Sequence, residues 1–430
     1  MIELEKELAE ARSQRAFLVG FQQNDEDTAQ IADQLEELAD LLRNLEIVPL
    51  EPEIVRIRDP QVRYRCGTGK ADEIARLVME CEADLLVFDT PLTPSQQRNW
   101  ERLAKCPVAG REEIILEIFA SRAQTREAVL QVELAKLEYS LPRLQRAWTH
   151  FSRQRGGGAT NRGEGEAQLE TDKRLLRRRI QQLKEELAVV RKQRAAQRKS
   201  RLRRPVVQGA FVGYTNVGKS SLLNALTGAD VLVKDQLFAT LDPTARKVKL
   251  PGNLEMVLTD TVGFVRKLPH QLVEAFKSTL EEAVLADILL LVLDVSSADI
   301  DAEWETTLGV LKELGADEKQ IQIVFNKCDR LNPERDAVKL ARLRGLFPGA
   351  FYVSAQTGEG LSELKRFLAD FSGRSRQLLR AEIPPSRHDL IALAHGFGNV
   401  YEENYDPDGT VKMVFAIGDK YQHRFKDYLQ

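Results

Sequence analysis

The sequence is short of the residues that build metal and disulfide centres. Its 430 residues include four cysteines (Cys66, Cys81, Cys106 and Cys328), with no C-x-x-C pair among them, and five scattered histidines. That suggests neither a disulfide framework nor a zinc site. Long apolar runs are missing too. The most hydrophobic stretch, AVLADILLLVLDV at 283–295, is too short to cross a bilayer and contains Asp287. A buried parallel strand suits it better. The opening MIELEKELAEARSQ lacks the apolar core of a secretory signal. A reduced, cytoplasmic setting without membrane contact is the expectation.

What is present is ordinary in bulk and uneven in detail. Hydrophobic residues make up 43% and charged residues 30%, within the range of soluble chains. The length is too great for one core, so two to four domains are expected. The net charge of −3 conceals a basic block. Residues 151–204 hold 17 Lys/Arg against 6 Asp/Glu, a surplus of +11 that leaves −14 for the remainder. Such a block in an acidic chain points to a local nucleic-acid contact.

The first 110 residues alternate strand and helix. RAFLVGF (15–21) reads as a strand. TAQIADQLEELADLLRNL (28–45) has helical spacing with Thr28 as its cap, and KADEIARLVMECEA (70–83) reads as a second helix. DLLVFD (84–89) is a strand before TPSQQRNWERLAK (93–105), a helix that Pro94 can open. This is the pattern of a small α/β domain with a parallel sheet. Its C-G-T-G-K (66–70) looks like a phosphate loop but lacks the glycine spacing and the following Ser/Thr. A turn opening a helix is the better reading.

Over 111–204 the pattern is helical. Leu130, Leu134, Leu137, Leu141 and Leu144 step by four and three. Leu169, Leu176, Ile180, Leu183, Leu187 and Val190 nearly repeat the rhythm beyond a Gly/Arg-rich break at 152–166. Two such helices joined by a loop predict an antiparallel coiled-coil hairpin. Each arm of ~25 residues would span ~37 Å. Pro142 is expected to kink or split the first arm. A projecting hairpin with a basic tip accounts for a loop with little to bury better than two helices lying flat.

The strongest signal is RPVVQGAFVGYTNVGKSSLLNAL (204–226). Gly213, Tyr214, Thr215, Asn216, Val217, Gly218, Lys219 and Ser220 fit G-x-x-x-x-G-K-[ST] between an apolar strand and a helix. In that setting backbone N–H groups and the helix N-terminus face phosphate oxygens. Lys219 would reach the β- and γ-phosphates and Ser220 a magnesium ion. Asn326, Lys327 and Asp329 form N-K-C-D after the strand IQIVF. A carboxylate there can accept both guanine donors, which adenine does not offer. Ser354, Ala355 and Gln356 fit the loop that supports the base. With Asp260, Thr261, Val262 and Gly263 these motifs resemble those of translation-factor-class GTPases over 205–372. Switch I falls within 231–250, where either Thr240 or Thr244 can supply a second magnesium oxygen. Asn216 matches a position that binds potassium in some relatives; an asparagine that only shapes the loop is the equal alternative.

GTGKADEI (67–74), FDTPLTPSQQRNWE (88–101), the run at 111–144, the Gly/Arg loop and DQLFATLDPTAR (235–246) together resemble the HflX family of GTPases across nearly the whole chain. The resemblance implies a small N-terminal α/β domain (1–110), a helical hairpin (111–204), a P-loop G domain (205–372) and a C-terminal α/β domain (373–430). That last piece reads as helix, two strands around D-P-D-G, and helix. The resemblance also implies that Phe238, Ala239, Thr240, Leu241 and Asp242 contact GTP, with Thr240 as the magnesium ligand beside Ser220. It implies a monomer that binds the large ribosomal subunit and its rRNA and separates stalled or idle ribosomes.

The residue after Gly263 is Phe264, where many relatives of the class carry a glutamine that orients the attacking water. The sequence assigns no other residue to that task. A slow intrinsic rate is expected, with the ribosome supplying the remainder. Other readings fit the same residues: an assembly GTPase acting on immature subunits, an RNA-binding scaffold with a nucleotide switch, or adenine-nucleotide use by the N-terminal domain.

Overall fold

The structure, a computed structural model, describes residues 14–23, 27–147, 161–201, 206–228, 238, 243–266, 283–297, 299–332, 334–374 and 376–429. Two compact units result. The first contains the described residues up to Ala188 together with Phe238, and the second contains the rest.

In the first unit, β1 (Arg15–Gln22), β2 (Val48–Pro49), β3 (Glu53–Arg56), β4 (Leu85–Phe88) and β5 (Val108–Gly110) form one sheet. All of its pairings are parallel, with β1 beside β2, β3 and β4. The expected α/β alternation is present. Helices α1 (Thr28–Asn44), α2 (Thr68–Glu80) and α3 (Pro94–Ala104) lie close to their expected positions. One cap is corrected. Asp27, not Thr28, caps α1 by accepting from the Ala29 N–H, while the Thr28 hydroxyl accepts from Gln22 Nε2. Thr93 and Gln96 form a reciprocal capping box at α3, which Pro94 opens. The C-G-T-G-K stretch opens α2 through Gly67, and Lys70 is tied to Glu53 and Glu73 at 3.0 Å each. No phosphate loop forms there.

Helix α4 (Arg111–Arg122) leads into α5 (Arg126–Ala147), and α6 (Asn161–Arg201) follows. The pairs Arg126–Glu186 and Arg179–Glu133 show the two long helices running antiparallel. Leu130, Leu134, Ile180, Leu183 and Leu187 are buried, as the heptad steps predict. Three details differ from expectation. α5 is one helix across Pro142, so the arm is not split there. Residues 161–166 are helical rather than part of the loop, and 148–160 lie outside the described residues. The first arm is also anchored to the sheet domain: Arg143 donates to Leu92 O and Gln97 Oε1, and Lys136 pairs with Glu117. Those side-chain ties hold the helix on both sides of the proline.

The second unit contains a six-stranded sheet in the order β11-β10-β9-β6-β8-β7. Its members are β6 (Val207–Gly213), β7 (Thr244–Leu250), β8 (Leu254–Asp260), β9 (Ile288–Asp294), β10 (Gln320–Asn326) and β11 (Phe351–Tyr352). Only the β7–β8 pairing is antiparallel. β9 is buried along nearly its whole length, which explains its unbroken apolar run. β6 leads to β7 and β8 on one side and its other neighbour β9 leads to β10 on the other, so the connections leaving β6 and β9 diverge. That is a topological switch point, where open α/β sheets bind ligands.

The C-terminal piece has one strand more than expected. β12 (Arg376–Ile383) joins β13 (Gly398–Tyr405) and β14 (Val411–Gly418) in an antiparallel sheet, order β12-β14-β13. Its inward residues Leu379, Ala381 and Ile383 alternate as a strand requires and share a core with Phe415 and Phe425. Gly409 closes the D-P-D-G turn at φ 83°.

Candidate phosphate and base site

The loop after β6 needs its glycines. At Gly213, φ 147°, a β-carbon would stand 2.2 Å from Val292 O; at Gly218, φ 91°, it would stand 2.3 Å from Asn326 Nδ2. Side chains at either place would drive the loop off its neighbours. Gly218 leads into α7 (Lys219–Thr227), whose first amides face the loop. Lys219 is buried and donates to Gly213 O (3.1 Å) and Tyr214 O (2.7 Å). Burial lowers its pKa to about 8, and the Asp260 and Glu303 carboxylates act against that shift. Ser220 Oγ donates to Asp260 Oδ2 at 2.5 Å, so a hydroxyl and a carboxylate from two elements converge. Thr261 Oγ1 donates to Phe211 O at 2.6 Å and fixes the start of the D-T-V-G segment.

Asn326 joins three motifs. Its Nδ2 donates to Val217 O at 2.8 Å, and its Oδ1 accepts from the Ala355 N–H at 3.1 Å. The Ser354 hydroxyl donates to Asp329 Oδ1 and accepts from the Thr357 N–H. Asp329 stays exposed while its carboxylate is oriented. Lys327, at φ 63°, pairs with Asp294 at 2.7 Å. The result is a nest of amides and one lysine for phosphates, beside an oriented carboxylate able to take two donors from a base.

The D-T-V-G-F segment lies directly on the loop. Phe264 N donates to Gly213 O (3.1 Å) and Thr215 N donates to Phe264 O (2.7 Å). A β-carbon on Gly263 would stand 2.7 Å from Thr215 Cα and 3.0 Å from Lys219 Nζ. Phe264 itself is 1% exposed. Its ring is core packing, so nothing in its side chain can orient water.

Gly213, Tyr214, Thr215, Asn216, Val217, Gly218, Lys219, Ser220, Asp260, Thr261, Val262, Gly263, Asn326, Lys327, Asp329, Ser354, Ala355 and Gln356 thus all sit in one unit, at one edge of one sheet. Asn216 and Gln356 are exposed. Phe238 belongs to the other unit. It is buried at φ 56° with its ring tilted 50° against Phe119 of α4, 4.6 Å between centroids, a placement its sequence position does not disclose. Ala239, Thr240, Leu241 and Asp242 lie outside the described residues. The sequence reading missed Arg266, Asp299 and Glu303. Arg266 N donates to Tyr214 Oη at 2.6 Å, and its guanidinium pairs with Asp299. No motif spacing links residues that far apart.

A G-x-x-x-x-G-K-S loop at a switch point, joined to a D-x-x-G strand end through Ser220 and Phe264 and to the N-K-x-D motif through Asn326, defines a P-loop GTPase. Comparison with known proteins agrees. The "GTP-binding GTPase N-terminal" model matches residues 32–120, the "GTP-binding GTPase Middle Region" model 122–201 and the "50S ribosome-binding GTPase" model 208–327. The chain is 47% identical to the GTPase HflX of Akkermansia muciniphila over 406 residues, 93% of each chain. It is 44% identical to the GTPase HflX of Escherichia coli K12 over 356 residues, 82% of each. Among solved structures, the complex of SsGBP with GDP has a TM-score of 0.46 at 26% identity, covering 84% of this chain and 99% of that one. The chain belongs to the HflX family of GTPases, and its activity is GTP hydrolysis.

Proposed function

We propose that this GTPase binds the large ribosomal subunit and dissociates stalled or idle ribosomes, with the ribosome stimulating hydrolysis. The observation that carries the reading is Phe264, buried and paired to the phosphate loop at the position from which water is usually aligned. A hydrolase built this way depends on a partner to complete its site. Two further features fit a ribonucleoprotein partner. The basic surplus of residues 151–204 falls largely on α6, and the central domain matches a family described as 50S ribosome-binding. Among the described residues no helix is long and apolar enough to cross a membrane. The proposed setting is the cytoplasm, with the chain acting as a monomer.

Within the site, the amides of 214–220 and Lys219 hold the phosphates of GTP or GDP, and Asp329 reads guanine with Asn326, Ser354, Ala355 and Gln356 around it. Ser220 and Asp260, converged by their hydrogen bond, would offer the hard oxygens that magnesium prefers. Thr240 of switch I, the residue the family resemblance points to, would be a second ligand. When bound, magnesium neutralises charge on the β- and γ-phosphates. Asn216, exposed at the loop's edge, is the proposed potassium contact, and faster turnover in KCl than in NaCl is its signature.

The test is sedimentation of intact ribosomes with the full chain and a non-hydrolysable GTP analogue, alongside single-turnover GTP hydrolysis with and without ribosomes. Free subunits and a rate increase of ~10³ or more support the reading. Intact ribosomes overturn the splitting function, and binding confined to immature particles would reassign the chain to assembly. Fast hydrolysis by the protein alone overturns ribosome dependence.

A further inference from the structure

Asp299 occupies the N-cap of α8 (Ile300–Glu313), where an aspartate ordinarily accepts from the helix's free N–H groups. Here its carboxylate makes no capping hydrogen bond. It is turned instead to the Arg266 guanidinium, two residues beyond Phe264. The Arg266 side chain is 14% exposed and that of Asp299 33%, so the pair is only partly open to solvent. The backbone of the same arginine is held from the other side, its N–H donating to Tyr214 Oη at 2.6 Å. A local rule is thus broken at one helix start, and the carboxylate serves a contact 33 residues away in the chain.

The contact fixes the segment that carries Gly263. Between Thr261, tied to Phe211 O, and Arg266, tied to Tyr214 and Asp299, the chain pairs with the phosphate loop through Phe264. Gly263 then lies so near Thr215 and Lys219 Nζ that even a β-carbon on it would stand 2.7 and 3.0 Å from them, and Lys219 bonds loop carbonyls. A γ-phosphate has to sit beside that lysine and the Asp-x-x-Gly turn, where Gly263 already stands this close. A diphosphate leaves that place free, so the arrangement held by Arg266 suits a diphosphate better than a triphosphate.

We propose that Asp299 and Arg266 are positioning residues that latch the Gly263–Phe264 segment onto the phosphate loop and bias the protein against its GTP-engaged arrangement. A ligand shifts such an equilibrium only by its differential affinity for the two states. Weakening the latch therefore raises affinity for a triphosphate and leaves a diphosphate unaffected. The inference goes beyond the ribosome reading and does not rest on it, because its test contains no ribosomes.

The experiment measures binding of GDP and of a non-hydrolysable GTP analogue, both fluorescently tagged, to the full-length chain and its variants with magnesium present. Asp299→Asn and Arg266→Gln are each expected to raise the preference for the triphosphate analogue about three- to tenfold, as loss of a partly buried ion pair would. GDP affinity should stay within twofold of the parent. The double variant should show no more than either single change, since both remove one interaction. Asp299→Glu, which keeps the charge, should restore the parent's preference. A purely structural role would lower affinity for both nucleotides together, and that result overturns the proposal. So does a preference that stays within twofold of the parent in both single variants. Arg266→Gln alone decides the matter if Asp299→Asn does not fold.

Discussion

Glu303 stands one turn into α8, with its Oε1 accepting from the Ser297 hydroxyl at 2.6 Å. Burial pushes its carboxyl up to about 7. The Ser297 bond opposes the shift, Asp294 adds to it, and Arg266 and Lys327 pull it back. The group's ordinary value is 4.5, so between pH 4.5 and about 7 the folded chain holds a proton that the unfolded chain has released. The stability this gives is complete below pH 4.5 and is lost as pH rises through 7. Glu303→Gln keeps an acceptor for Ser297 and cannot ionise. We expect the variant to gain about 1–3 kcal/mol over the parent at pH 8 relative to pH 5. Denaturant unfolding of the nucleotide-free protein at the two pH values checks this, and equal differences at both would refute it. The same scale shows how unevenly residues announce themselves. Lys219, Ser220 and Asp329 are legible because phosphate, metal and guanine chemistry dictate residue types at fixed spacings. Glu303, Asp299 and Arg266 act through neighbours brought close only by the sheet.

At the scale of elements, the α5–α6 pair rests on a narrow apolar seam flanked by ions. Leu183 is fully buried, while Leu175 is 54% exposed. Arg179 forks onto Glu133 with Nε–Oε1 at 2.9 Å and Nη2–Oε2 at 3.1 Å. Leu183→Ala should destabilise the first unit by about 2–4 kcal/mol, whereas Leu175→Ala should change it by less than about 0.5 kcal/mol. Helical circular dichroism followed against denaturant separates the two, and equal effects would remove the seam as the source of stability. Heptad steps made this pairing readable. They did not reveal that Arg143 fastens α5 to Leu92 and Gln97, nor that the helix runs through Pro142. Proline's local penalty is overcome there by tertiary contacts that no propensity encodes. β12 escaped notice for a related reason. Its RQLLRAEI mixes apolar and charged residues as a helix also would, and only pairing with β14 decides between them.

For the whole molecule the decisive quantity is charge distribution. The +11 of residues 151–204 sits in a chain of −3, and its described part is mostly α6. If that block meets rRNA, as proposed, each neutralised phosphate releases counterions, and affinity falls with salt. Ribosome binding in the presence of the GTP analogue should weaken about tenfold or more between 50 and 200 mM KCl. With KCl held constant and NaCl raised over the same range, hydrolysis by the protein alone should change little. A salt-independent ribosome affinity, read by co-sedimentation, would assign binding to an uncharged surface.

The α/β class, the nucleotide class and the family were settled by the sequence itself. Periodicity and motif spacing are local properties, and the chemistry of phosphates and guanine leaves few residue choices. The tertiary structure alone decided that Phe264 is core, that Phe238 packs on Phe119, and that Asp299 faces Arg266 instead of its own helix. Each depends on where a side chain goes when several neighbours compete for it, and those neighbours meet only after the sheet has folded.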